Sequence, residues 1–120
     1  MNSHRRLVAW QACRTLIGEI YRATSGFPLS ERFGLSSQLR RAAVSSAANI
    51  AEGFGRTGVR ETAHGLSIAL GSLAEIDTLF ATADLGYLKG VQLADLERLL
   101  DRASKVTFGL YRKVKSRSAS

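Results

Sequence analysis

SSQLRRAAVSSAANIAEGFGRTG, Ser36–Gly58, combines a helical pattern with a glycine motif that belongs to another fold. It is rich in Ala, Ser and Gly, yet it carries three arginines, an Asn and a Glu. It admits three readings: a phosphate site, a solvated surface helix, or a surface that meets another copy of the chain. Gly53-Phe54-Gly55-Arg56-Thr57-Gly58 fits G-x-G-x-x-G. The dinucleotide fingerprint needs a strand before the motif and a helix opening at it. Here an Ala-rich helical pattern precedes it. The glycines therefore read as a helix end and a turn, taking left-handed backbone angles. Free N–H groups beside Arg56 and Arg60 leave room for an anion contact at the start of the next helix.

At about 100° per residue, Leu39, Ala43, Ala47, Ile50 and Phe54 share one face. Gln38, Arg41, Ser45, Asn49, Glu52 and Arg56 gather opposite, within about 80°. Ala42, Val44, Ala48 and Ala51 flank this polar ribbon. A solvated face is the ordinary fate of such a stripe. Against it stand the mixture of Gln, Ser and Asn with charges, and alanine flanks that let another backbone come close. Glu52 and Arg56 stand four residues apart and can pair along the helix. A subunit contact with its register fixed by polar groups is the alternative.

Working outward, the helical period continues and no strand is evident. Leu7, Trp10, Cys13, Ile17, Ile20, Tyr21 and Thr24 form one face before SGFPLS, which holds the only proline, Pro28. Thr57 is the expected N-cap of a third helix, with Glu61 in its first turn, where the dipole favours an acid. That helix has one face of Val59, Ala63, Leu66, Leu70, Leu73 and Phe80. A second apolar edge carries Ala69, Ile76, Leu79 and Ala83. LGYLKG, Leu85–Gly90, breaks the pattern. Leu96, Leu99, Leu100, Ala103, Val106, Leu110 and Val114 then mark a fourth helix. The expected helices span roughly 4–25, 31–54, 58–85 and 91–115, with 116–120 a frayed tail. Helices of about 20 residues are about 30 Å long. Matched lengths and short connections predict a single all-α domain, an antiparallel up-down-up-down four-helix bundle.

The 120 residues suffice for one core, and an apolar content of 45% sets the chain apart from disordered sequences. No uninterrupted apolar run reaches the roughly 18 residues of a membrane span, and no signal peptide is evident. A single cysteine, Cys13, excludes an internal disulfide and fits a reducing cytoplasm. The expectation is a cytoplasmic protein with no membrane partner.

No catalytic constellation emerges. The histidines are His4, near the terminus, and His64, on the outer side of the third helix. With Cys13 on a core face, they offer no metal-ligand spacing. Ser72 has no activating partner pattern, and Gly71-Ser72 read as small residues for close helix packing. Glu75 and Asp77 point to different sides of their helix. Asp77 and Asp84 belong at the edge of an apolar side or beside an arginine. The chain reads as a non-enzyme without metal or cofactor.

The net charge is +7, from 17 Lys+Arg against 10 Asp+Glu, and such an excess favours anionic partners, nucleic acid above all. Arg98, Arg102, Lys105 and Arg112 lie roughly opposite the leucine stripe of the fourth helix, with Lys113 at the edge and Lys115 and Arg117 beyond. From Lys105 onward there are five basic residues and no acid. Phosphate contact needs this geometry and no base-specific chemistry. Phe108 and Tyr111 alone could stack on bases there. The alternative is a solvated helix face whose charge is incidental.

FPLSERFGLSSQLRRAAVSSAANIAEGFGR followed by LSIALGSLAEIDTL resembles the bacterial four-helix-bundle proteins encoded in 23S rRNA intervening sequences. LVAWQAC and LGYL fit as well, and the resemblance covers roughly residues 7 to 114. Its specific matches are Gln38–Arg41, Asn49–Gly53 and Ala69–Glu75 in combination. The family pattern has Ile-Pro where this chain has Ser46-Ala47, so the helix here keeps an N–H and can run unbroken. The resemblance implies a protomer that assembles into a ring, commonly a homopentamer, with Gln38, Arg41, Asn49, Glu52 and Gly53 as motif positions. Five copies would carry about +35. The family is similar in fold to the accessory variability protein of diversity-generating retroelements, a basic ring that engages a reverse transcriptase and nucleic acid. By that analogy the expected partners are a second copy of the chain, RNA or DNA, and possible protein partners of that kind. The leading expectation is sequence-nonspecific nucleic-acid binding, and the alternative is a scaffold for a protein partner.

Overall fold

The computed structural model describes residues 3–56 and 58–118. Four α-helices make up the described chain, and it contains no strand: α1 (Val8–Thr24), α2 (Leu35–Gly55), α3 (Val59–Ala83) and α4 (Gly90–Ser118). Short 3-10 turns at Ser3–Arg6 and Leu29–Glu31 precede α1 and α2. The helices pack α1 on α2 and α4, and α3 on α2 and α4, as a bundle requires. The molecule measures 49 × 22 × 20 Å.

The boundaries differ from expectation where turn chemistry intervenes. Residues 31–34 lie outside α2. Instead Glu31 turns back, and its Oε1 accepts from the Leu35 N–H at 3.0 Å, satisfying one donor of the first turn. Its Oε2 accepts from the Tyr87 hydroxyl at 3.0 Å, tying the start of α2 to the α3–α4 connection. Residues 116–118 of the expected tail are helical; Lys115 and Arg117 stand in the last turn, where cations suit the helix dipole. The expected Thr57 cap lies outside the described residues. Gly58 occupies the N-cap position with φ 110°, which favours glycine. Gly53 and Gly55 do not take left-handed angles; both belong to α2.

The core is built from Cys13, Leu16 and Ile20 of α1, Leu39, Ala43 and Ile50 of α2, Leu66, Leu73, Ile76 and Phe80 of α3, and Leu96, Leu100 and Ala103 of α4. Leu88 anchors the α3–α4 connection in it. On α1 the buried face is shifted from the expected one: Ala9, Ala12, Leu16 and Ala23 are buried, while Tyr21 is 42% exposed. On α2 the face is likewise rotated. Ala42, Ser46 and Gly53 are buried, and Phe54 and Val59 lie at the surface. Small residues explain this rotation, because they let α2 approach its neighbours edge-on. Ser46 is fully buried and satisfies its hydroxyl on the Ala43 carbonyl at 2.7 Å, so α2 runs unbroken through the position.

Around Ser46 the core holds a small polar centre. Burial pushes the Cys13 thiol up from its ordinary range, and the Ser46 and Thr107 hydroxyls beside it act in the opposite sense. The thiol is thus a buried core group whose surroundings favour its protonated form. Apart from its contact with that thiol, the fully buried Thr107 hydroxyl has no hydrogen-bond partner among the described residues.

α3 is long and apolar enough, by length and composition, to cross a membrane. Its apolar side is the one that packs on α2 and α4, as in any core helix.

Candidate nucleic-acid interface

The polar stripe of α2 divides into two sets. Ser45, Asn49 and Gly53 face α3. The Ser45 hydroxyl lies 3.0 Å from that of Ser72. The Asn49 amide donates to the Ser45 carbonyl at 2.9 Å and to its hydroxyl at 3.0 Å. Gly53 is buried against Gly65. A Cβ on Gly53 would stand 2.8 Å from the Glu61 carbonyl and 2.9 Å from the Gly65 Cα. A Cβ on Gly65 would collide with the Asn49 carbonyl. The two backbones touch here with no side chain between them. Gly71, by contrast, is exposed with open space beside it, so close packing falls to Gly65 and Ser72.

Gln38, Arg41, Glu52 and Arg56 form the second set, and all four are exposed. The expected Glu52–Arg56 pair forms at 4.0 Å. Both sets line shallow grooves along the α2/α3 seam. One of about 680 Å³ brings Gln38, Arg41 and Ser45 together with Glu75. Another of about 650 Å³ joins Asn49, Glu52 and Arg56 to Arg60, Glu61 and His64.

On α4 the nominated cations also separate. Arg98 is bound to Asp95 at 3.1 Å and Lys105 to Asp101 at 3.0 Å, so each carries its own counter-charge. Arg102, Arg112 and Lys113 are exposed without an acid partner among the described residues. The Arg112 guanidinium sits 5.9 Å from the Phe108 ring centre, and Phe108 stacks towards Tyr111 at 6.4 Å. Lys115 and Arg117 are exposed on the last turns. Lys115 shares a concavity with Tyr111 and with Arg60, His64 and Ser67 of α3. Of these, Arg60 is the one that the sequence places beside an anion contact; His64 and Ser67 carry no such expectation. Arg60, His64 and Ser67 recur at helical spacing, but only the packing shows that the start of α3 lies beside the end of α4.

Arg40 also escaped the sequence reading. Its Nε donates to the Thr24 hydroxyl at 2.7 Å and its guanidinium covers the Tyr21 ring at 4.5 Å, with a further bond to the Tyr21 carbonyl. It is a cation set at the C-terminus of α1, where free carbonyls collect. Asp77 and Asp84 are exposed and have no arginine partner among the described residues. No group of three or more His, Cys, Asp or Glu side chains is placed to hold a metal ion among the described residues.

Four packed helices, a small-residue seam between α2 and α3, and a cationic end to α4 define an all-helical, four-helix protein. The chain belongs to the 23S rRNA-intervening sequence protein family, whose model matches residues 5–109. No curated protein matches the chain.

Proposed function

We propose that the chain is a non-enzymatic, cytoplasmic subunit that binds nucleic acid through its phosphates, without sequence preference. The observation that carries this reading is the change of charge along α4. Its first half holds Asp95, Glu97 and Asp101, of which Asp95 partners Arg98 and Asp101 partners Lys105; from Arg102 onward it has no acid, and its cations project outward. Phosphate contact requires such a surface and nothing more specific.

The same reading has the helices alternate up-down-up-down and the subunits close into a ring, a homopentamer. Contacts of Gly53 with Gly65 and of Ser45 with Ser72 support the antiparallel pairing of α2 and α3. The exposed set Gln38, Arg41, Glu52 and Arg56 supports a subunit contact, because the fold of one chain makes little use of it. Light scattering of the protein, alone and with RNA or DNA across a salt series, tests both parts. A mass of about five subunits that captures nucleic acid at low salt and releases it at high salt is the expected result. A monomer overturns the ring, and an oligomer indifferent to nucleic acid at every salt overturns the binding.

The second reading, a scaffold for a protein partner such as a reverse transcriptase, draws on the exposed Leu29, Phe33, Leu85 and Val91 at the other end of the molecule. Capture that persists at high salt would favour it.

A further inference from the structure

We propose that the notch between the first turns of α3 and the last turns of α4 is an oxyanion seat that holds one phosphate group. The inference rests on the nucleic-acid reading above and narrows it from a charged surface to a place. Arg60, His64 and Ser67 follow one another at i, i+4 and i+7, so their side chains emerge on one side of α3. Tyr111 and Lys115 do the same on α4, and all five line a single concavity of about 240 Å³. Small-molecule pockets span about 300–1,000 Å³, so the notch is too small for a nucleotide cofactor and suits a single tetrahedral group.

The donor chemistry is of one kind. A guanidinium offers its planar fork, an ammonium offers a point charge, and Ser67 and Tyr111 offer hydroxyls that can donate to phosphate oxygens. Charge-assisted bonds to an oxyanion are the stronger class of hydrogen bond. Among the described residues no carboxylate lines the notch; Glu52 and Glu61 line the neighbouring groove, which shares Arg60 and His64.

The seat differs from the α4 stripe in position: Lys115 stands about 100–140° around α4 from Arg98 and Arg102, facing α3. A phosphodiester strand would cross the α3/α4 seam at this end, and a free polyphosphate could occupy the same seat.

Two variants of equal charge test the assignment: Arg60→Gln with Lys115→Gln, and, at the opposite end of the molecule, Arg32→Gln with Lys89→Gln as the control. All four positions are exposed, and far-UV circular dichroism checks that both variants keep the fold. Binding of a labelled single-stranded RNA is followed by anisotropy across a salt series. The notch variant is expected to lose about tenfold in affinity and about 2 from the salt slope, the control under about threefold. Equal losses overturn the seat and leave only bulk charge, as does a loss confined to the control. NMR titration with inorganic pyrophosphate forms the second arm. Shifts centred on residues 60–67 and 111–115, abolished in the notch variant, are expected. Such shifts without RNA binding would keep the seat, as a site for free polyphosphate, while overturning the nucleic-acid reading. RNA binding without them overturns the seat alone, and silence in both arms overturns both.

Discussion

The two ends of the molecule are built on opposite terms. At one end, where α2 meets α3, the backbones touch through Gly53 and Gly65, and charged side chains surround them: Arg56, Arg60 and Lys115, with Glu52 and Glu61. At the other, the connections 25–34 and 84–89 meet through side chains. Phe27 packs on Tyr87 at 5.3 Å, and Tyr87 reaches Glu31. Beyond that contact Leu29, Phe33 and Leu85 are 84%, 85% and 85% exposed. The first end draws its order from closeness and leaves charge for the surroundings. The second leaves apolar side chains in water, where they add nothing to the core. Stability and surface chemistry are therefore set by different residues, and each can be altered separately.

Gly65→Ala puts the greatest strain on this comparison. Alanine gains about 1 kcal/mol in helix propensity, but its methyl would strike the Asn49 carbonyl and the Gly53 Cα, both backbone atoms that cannot swing aside. Overpacking prevails, and a net loss of about 2 kcal/mol is expected in chemical denaturation. An unchanged midpoint would show that the seam can open at no cost.

Between the ends, Thr107→Val tests whether the interior tolerates its buried hydroxyl. The substitution keeps the shape and removes a buried hydroxyl whose one polar neighbour among the described residues is the weakly bonding Cys13 thiol, so a gain of about 1 kcal/mol is expected. A loss would mean that the contact with the Cys13 thiol is favourable.

At the open end, Leu29→Ser with Phe33→Ser is expected to move stability by less than about 0.5 kcal/mol. A loss near that of Gly65→Ala would erase the contrast between the ends. The smallest effect belongs to Tyr87. Its hydroxyl is held above its ordinary value of 10.0 by the hydrogen bond to Glu31, with the Glu31 charge and burial adding to the rise. A raised folded-state value makes the contribution whole below pH 10 and lost as pH climbs through the raised value. Ultraviolet titration should therefore show one late-titrating phenol, absent from Tyr87→Phe.

Much of the fold was legible in the sequence because large apolar residues betray a period. Leu39, Ile50, Leu66, Leu73, Phe80, Leu96 and Leu100 were assigned to the core, and all are buried. The rotation of α2 was not legible. Ser46, Gly53 and Ser72 are buried because they are small, and a hydropathy pattern gives no weight to a missing side chain. Phe54 and Val59 were drawn inward by the same pattern, although the turn that follows α2 leaves them at the surface. The cationic half of α4 could be read directly. The notch could not, since Arg60 and Lys115 are 55 residues apart and only the packing of α3 on α4 unites them.

The glycine contact also bears on the order in which the chain acquires structure. Gly53 and Gly65 are separated by only 12 residues, and closing so short a loop costs little entropy. Helices α2 and α3 are expected to pair before either recruits α4, and φ-values high at Ala47 and Ala69 but low at Leu100 would record it. During synthesis the hairpin would then already stand while α4 is still inside the ribosome. The most cationic helix would leave the ribosome after the other three, and dock onto a partner that is already folded.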